Sequence, residues 1–229
     1  MGSSALSEQL DDPYAKVSYG QQGEDLILDR LFRRMLRRDP KTEMGFYIDA
    51  GAYHPKAHST TALLHEHGWH GICIDMSPQS IALFREGRPN ETIVQAAISD
   101  QPGEMTAFLS DDISLMNTVV KDAVPDYGNY SEQKVDVATL SGILDAERFE
   151  GTVDYLNIDI EGAELAALGG LDFDRHAPSI ISIEIHASDV EEAVKSEVFR
   201  YLSDRGYRCV GCSVITYFFV LERAIPEAA

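Results

Sequence analysis

Four short, largely apolar runs in this chain end in a carboxylate: Phe46-Tyr47-Ile48-Asp49, Ile72-Cys73-Ile74-Asp75, Leu156-Asn157-Ile158-Asp159 and Ile181-Ser182-Ile183-Glu184. Runs of this length read as strands buried on both faces, and the stretches between them carry helical periodicity. Strand and helix alternating in this way is the pattern of βαβ units, so the expected fold is α/β with a mostly parallel, doubly wound sheet. Open sheets of that kind place their ligands at the carboxyl ends of the strands. The four acids therefore mark one edge as the place to look for chemistry.

The first long helix is predicted over Asp25 to Arg38, followed by a strand over Gly45 to Asp49 and a helix over Thr60 to His67. Gly71 to Asp75 is the second strand. Ser77-Pro78 then supplies a capping hydroxyl and an early proline for a helix continuing through Ile81 to Glu86. Thr92 to Ile98 is the third strand, and Gly103 to Leu109 adds a short hairpin strand. Asp111 to Tyr130 has little periodicity and many turn formers, as functional loops and lids do. A helix over Leu140 to Phe149 precedes the fourth strand at Val153, and a helix over Gly162 to Leu168 stops at Gly169-Gly170. Ser179 to His186 is the fifth strand, Glu191 to Arg205 a helix, and Tyr207 to Val210 with Val214 to Leu221 a C-terminal antiparallel pair.

At 229 residues the chain suits one domain able to bury about 70–75% of its unfolded surface. Residues 1–17 are polar and expected to be flexible, leaving 18–229 as the domain. The formal charge of −19 excludes the basic footprint that a nucleic-acid partner needs. Against that background Arg33, Arg34, Arg37 and Arg38 stand out, either complementing a helix C-terminus or offering a peripheral contact for an anionic acceptor or lipid headgroups. Three sparse cysteines, Cys73, Cys209 and Cys212, fit a reducing compartment, and no run approaches the ~20 apolar residues of a membrane span. A cytoplasmic location is the expectation.

The strand exits carry distinct chemistry. Asp49-Ala50-Gly51-Ala52 is a small-residue turn that lets backbone amides approach a ligand, and it lacks the glycine pattern that cradles a pyrophosphate. Asp75 stands where an acid after the second strand accepts ribose hydroxyls. Ala97 and Ile98 offer small apolar flanks to a flat base. Asp159 and Glu161 follow the fourth strand, although Glu161 and Glu164 could equally favour the positive end of the next helix. Alternation puts Glu184 and His186 on one face of the fifth strand, where an imidazole can serve as general base or as a structural group. His54 lies directly beyond the first strand.

The ordered set Tyr19-Gly20-Gln21-Gln22-Gly23-Glu24-Asp25, Phe46 to Ala52, Gly68 to Asp75 and Asp159 to Glu164 resembles the FkbM family of S-adenosylmethionine-dependent methyltransferases, over about Ser18 to Val220. The resemblance implies a Rossmann-like class I methyltransferase fold and O-methylation of a hydroxyl, typically on a sugar in a glycan or natural product. It implies that Asp49 and Gly51, with Ala52, hold the methionine end of the cofactor, Asp75 its ribose, and Ala97 and Ile98 its adenine. Gln21, Glu24 and Asp25 match the N-terminal motif expected to close over cofactor or acceptor. Ala52 replaces a further glycine of the general methyltransferase turn, and the stiffer Tyr53-His54-Pro55 puts His54 forward for the acceptor pocket. His186 is then the first choice of base, oriented by Asp159 or Glu161. The alternative is a divalent metal, Mg²⁺ or Mn²⁺, held by Asp159, Glu161 and His186. A non-catalytic S-adenosylmethionine or nucleoside-binding regulatory module is the competing class, and a nicotinamide oxidoreductase is disfavoured by the missing phosphate-binding glycines.

Overall fold

The computed structural model describes residues 14–124, 126 and 129–227; residues 1–13 of the segment expected to be flexible lie outside it. Helix α1 (Glu24–Arg34) leads into β1 (Phe46–Ala50), α2 (Ala62–Glu66), β2 (His70–Asp75), α3 (Pro78–Gly87) and β3 (Thr92–Gln95). Then come β4 (Ala97–Ile98), β5 (Gly103–Ser110), β6 (Tyr130–Ala138), α4 (Leu140–Ala146), β7 (Tyr155–Ile158), α5 (Glu164–Gly169) and α6 (Phe173–His176). The chain closes with β8 (Ile180–Glu184), α7 (Val190–Ala193), α8 (Glu197–Ser203), β9 (Tyr207–Ser213) and β10 (Thr216–Leu221).

Seven strands form one sheet in the order β3-β2-β1-β7-β8-β10-β9. The first five positions are mutually parallel, while β10 runs antiparallel to both β8 and β9. The strand order reverses between β1 and β7, paired from Tyr47 with Tyr155 to Ala50 with Ile158. That reversal opens a crevice at the carboxyl ends of the two central strands. Among the described residues no helix is long and apolar enough to cross a membrane.

Alternation along the strands gives the sheet two different faces. Ile48, Ala50, Leu156, Ile158, Ile181 and Ile183 share one core with residues of α4, α5 and α8. Tyr47, Tyr155, Ile180 and Phe218 share the other with Leu28, Leu31 and Phe32 of α1 and with Trp69. The second face also carries a buried polar row. Tyr155 and Ser182 share a hydrogen bond of 2.6 Å, Ser182 donates to Asn157 Oδ1 at 2.6 Å, and Asn157 donates to Asp49 at 2.9 Å. Each group in the row has a partner, which is the condition for burying polar atoms cheaply.

Several elements depart from the sequence expectation. α1 ends at Arg34, not Arg38, because Arg37 turns into the left-handed region (φ 54°) and sends Arg38 back to pair with Asp154. Arg38 also lies over the Phe32 and Trp69 rings, and Arg33 is held by Asp29 and Asp39, so two of the four arginines are spent internally. The expected third strand breaks at Ala96, whose amide bonds to Asp75 O at 3.1 Å, and Ala97–Ile98 pairs instead with β6 in a second sheet of order β4-β6-β5. The expected helix over Glu191 to Arg205 is two, because Ser196 caps α8 afresh. The fifth strand stops at Glu184, leaving His186 just beyond it.

Candidate functional site

A cleft enclosing about 590 Å³, part of it open to solvent, lies at the carboxyl ends of β1, β2 and β7. Gly51 and Asp159 meet on its wall. Gly51 has φ +83°, and a Cβ there would stand 1.7 Å from the carbonyl oxygen of Asp159, so no side chain fits between the two strand exits. Asp75 faces the same space. Its Oδ1 accepts the Ser77 amide and its Oδ2 the Tyr53 amide, both at 2.8 Å. Burial raises its pKa, and those two amides oppose the rise. Each oxygen keeps a further lone pair for a ligand.

Ala96, Ala97 and Ile98 form the opposite wall, where β3 hands over to β4. Ser114, Leu115, Asn117 and Val119 complete the enclosure, so part of the segment expected as a lid borders the cleft. That segment is tied down on both sides. Gln79 donates to Asp111 O at 3.0 Å, the Ser110 amide to Asn117 Oδ1 at 2.9 Å, and Thr118 Oγ1 to Glu161 O at 3.0 Å. Pro125, Tyr127 and Gly128 of the expected lid are outside the described residues.

At the cleft's β7–β8 side, carboxylates crowd together. Glu161 takes a left-handed backbone (φ 52°), uncommon for a residue with a side chain, and the adjacent Gly162 does so too (φ 98°). The turn is braced by the Gly162 amide, which donates to Glu164 Oε1 at 2.9 Å. His186 Nε2 lies 3.5 Å from Glu184 Oε2 and 3.9 Å from Glu161 Oε2. One ligand-capable atom from each of Glu161, Glu184 and His186 lies within 4.8 Å of the others. Burial, then repulsion from Glu184, Glu161 and Glu164, pushes the Asp159 carboxyl well above the usual range. Burial raises Glu161 as well, with His186 opposing, and pushes Glu184 up to about 7 with help from Glu161.

Of the residues singled out from sequence, Gly51, Asp75, Ala97, Ile98, Asp159 and Glu161 border the cleft. The others are placed elsewhere. Asp49 faces the second core: Thr61 donates to its Oδ2 at 2.6 Å and Asn157 to its Oδ1, and burial raises its pKa. Ala52 packs in that same core. Glu24 accepts the Gln22 amide at 2.8 Å, while Asp25 accepts Ser18 Oγ and the Tyr19 amide, so both acids fold the loop before α1. Gln21 is exposed. His54 Nδ1 accepts the Lys56 and Ala57 amides at 2.9 Å, and burial lowers its pKa. His186 borders the carboxylate group, not the cleft wall itself.

Sequence reasoning passed over Tyr53, Met76, Asn117 and Ile160 on the wall, which carry no charge pattern to betray them. It also named Asp159 and Glu161 as partners for His186, whereas Glu184 is the nearer acid. Strand alternation, which puts residues 184 and 186 on one side, was the signal available.

No curated protein and no solved structure matches the chain. A family model described as the methyltransferase FkbM domain matches residues 49–209, a span that begins at the exit of β1 and contains the whole cleft. The chain therefore belongs to the FkbM-domain methyltransferase family.

Proposed function

We propose that this protein is an S-adenosylmethionine-dependent O-methyltransferase of class I, Rossmann-like architecture, acting on a hydroxyl of a sugar in a glycan or natural product. The observation that carries the reading is the cleft, where a glycine-lined strand exit and a ribose-competent acid face small apolar flanks, with an imidazole among carboxylates beside it. No Lys or Arg borders the cleft among the described residues, which suits a cofactor without phosphates.

The residues fit such a cofactor. Gly51 leaves the backbone bare where a ligand must come close, Asp75 has lone pairs for two ribose hydroxyls, and Ala96 to Ile98 can flank adenine. When bound, S-adenosylmethionine supplies a methyl group already activated by its sulfonium. The protein's work is to align the acceptor oxygen and remove its proton. Alignment is worth up to ~7–11 kcal/mol in well-oriented intramolecular models, and a general base roughly 10²–10⁴-fold. His186 takes that proton in our reading. Asp49 acts at one remove, through the polar row that fixes β1 against β7.

We assign the Glu161, Glu184 and His186 group to proton handling and not to a metal. An imidazole nitrogen is a poor ligand for a hard cation such as Mg²⁺, which prefers oxygen donors.

The test is mass-spectrometric detection of a methylated product when the protein is incubated with methyl-labelled S-adenosylmethionine and a panel of neutral glycosides. His186→Ala should keep cofactor affinity and lower turnover at least tenfold. Tight cofactor binding with no product from any hydroxyl acceptor would favour a non-catalytic binding module instead.

A further inference from the structure

The base assignment leaves open which imidazole nitrogen does the work and what fixes it. Both neighbouring carboxylates address the same atom. Glu184 Oε2 and Glu161 Oε2 lie 3.5 and 3.9 Å from Nε2, and no hydrogen bond among the described residues engages Nδ1. A lone pair on Nε2 would face two carboxylates, whereas an N–H there faces two acceptors. With both acids ionised, that placement favours the neutral ring carrying its proton on Nε2. Nδ1 is left as the basic nitrogen on an imidazole whose side chain is 54% exposed.

The two acids differ in how firmly they are placed. Glu184 ends β8, opposite Thr216 of β10, with its side chain 10% exposed. Glu161 sits on the left-handed turn after β7 and is held through its carbonyl by Thr118 of the cleft-bordering segment. The rigid strand end is the better anchor, and the turn is the adjustable one. At 3.5 Å the Glu184 contact is an ion-pair distance, of the kind that shortens when an acceptor completes a site.

We propose that Glu184 is the positioning residue of a Glu184–His186 dyad, with Nε2–H directed at Glu184 and Nδ1 taking the acceptor's proton. The inference rests on the base role proposed for His186. As the acceptor oxygen forms its bond to the methyl carbon and the carbon–sulfur bond breaks, the hydroxyl proton passes to Nδ1. The resulting imidazolium keeps its Nε2–H toward Glu184, and the sulfur leaves as a neutral thioether. Charge balances without an oxidant, a reductant or a metal.

Long-range ¹H–¹⁵N NMR of the full chain loaded with S-adenosylhomocysteine reads the tautomer directly, with His186→Ala identifying the signals. Wild type should show Nε2 protonated and Nδ1 bare, and Glu184→Ala should move both shifts toward those of free histidine. Nδ1 carrying the proton in wild type, or shifts unmoved by Glu184→Ala, would overturn the dyad. With an acceptor found in the glycoside panel, Glu184→Gln should lower kcat at least tenfold with little change in KM, and Glu184→Asp should recover part of it. In the His186→Ala background Glu184→Gln should cost nothing more, because a group acting through another has no effect once that other is gone. A full independent loss there refutes the dyad and leaves the base reading standing. Wild-type turnover in His186→Ala refutes the base reading itself.

Discussion

Removing the charge of Glu184 should make the protein more stable, and by an amount that depends on pH. Its carboxyl is buried beside Glu161 and Glu164, which pushes its pKa from the ordinary 4.5 to about 7. A carboxyl that holds its proton more tightly when folded favours folding below its unfolded value, and that advantage is lost as pH rises through the folded value. For Glu184 the window runs from 4.5 to about 7. Each pH unit is worth ~1.4 kcal/mol, which sets a ceiling of ~3 kcal/mol above neutrality. Glu184→Gln keeps the shape and abolishes the ionisation, so it should recover that cost where wild type is charged. Between pH 5.5 and 8.5 the gain in unfolding free energy should grow by ~2 kcal/mol at the ceiling, and by about half that if neighbouring carboxyls relax. Urea denaturation of both proteins at the two pH values measures it. A difference that is the same at both, or a variant less stable at pH 8.5, would show that Glu184 is not held against its charge. The same substitution is expected to slow turnover, a trade of stability for function that active sites commonly show.

Gly51→Ala should be severely destabilised, because its Cβ would meet the Asp159 carbonyl at 1.7 Å on a backbone with φ +83°. We expect a loss of more than ~2 kcal/mol by urea denaturation and no measurable cofactor binding; a native-like melt would refute the close approach. Arg88 is 1% exposed and spends its guanidinium on Pro55 O, Ser59, Thr61 and the Tyr47 hydroxyl. Arg88→Met should cost roughly 3 kcal/mol in the same assay, since it leaves those buried acceptors unsatisfied and removes a cation whose field favours ionised Asp49; a loss below ~1 kcal/mol would contradict that role.

The parallel strands were legible because each is a short apolar run, and the Ser77-Pro78 helix start held because Ser77 Oγ accepts the Ser80 amide as a capping residue should. β6 escaped notice: Tyr-Ser-Glu-Gln-Lys-Val-Asp-Val-Ala is mostly exposed, so burial imposed no alternation on it. The break after Gln95 is equally hidden, since Thr92 to Ile98 is continuously strand-like and only the pairing partner changes. At the site, Asp75 could be placed from its position after β2 alone. Asp49 could not, because a strand's alternation says which residues share a face without saying which face meets the cleft. The carboxylates after β7 were visible as charges, but Glu184 became the nearest acid to His186 only through the β8 exit geometry.

The central claim is that this cleft binds S-adenosylmethionine with Asp75 on its ribose. Calorimetric titration of wild type and Asp75→Ala with S-adenosylmethionine tests it most directly, with circular dichroism confirming that the variant is folded. One site per chain in wild type and at least a tenfold weaker affinity in a folded Asp75→Ala is the predicted result. No binding by wild type, or undiminished affinity in the variant, would contradict it.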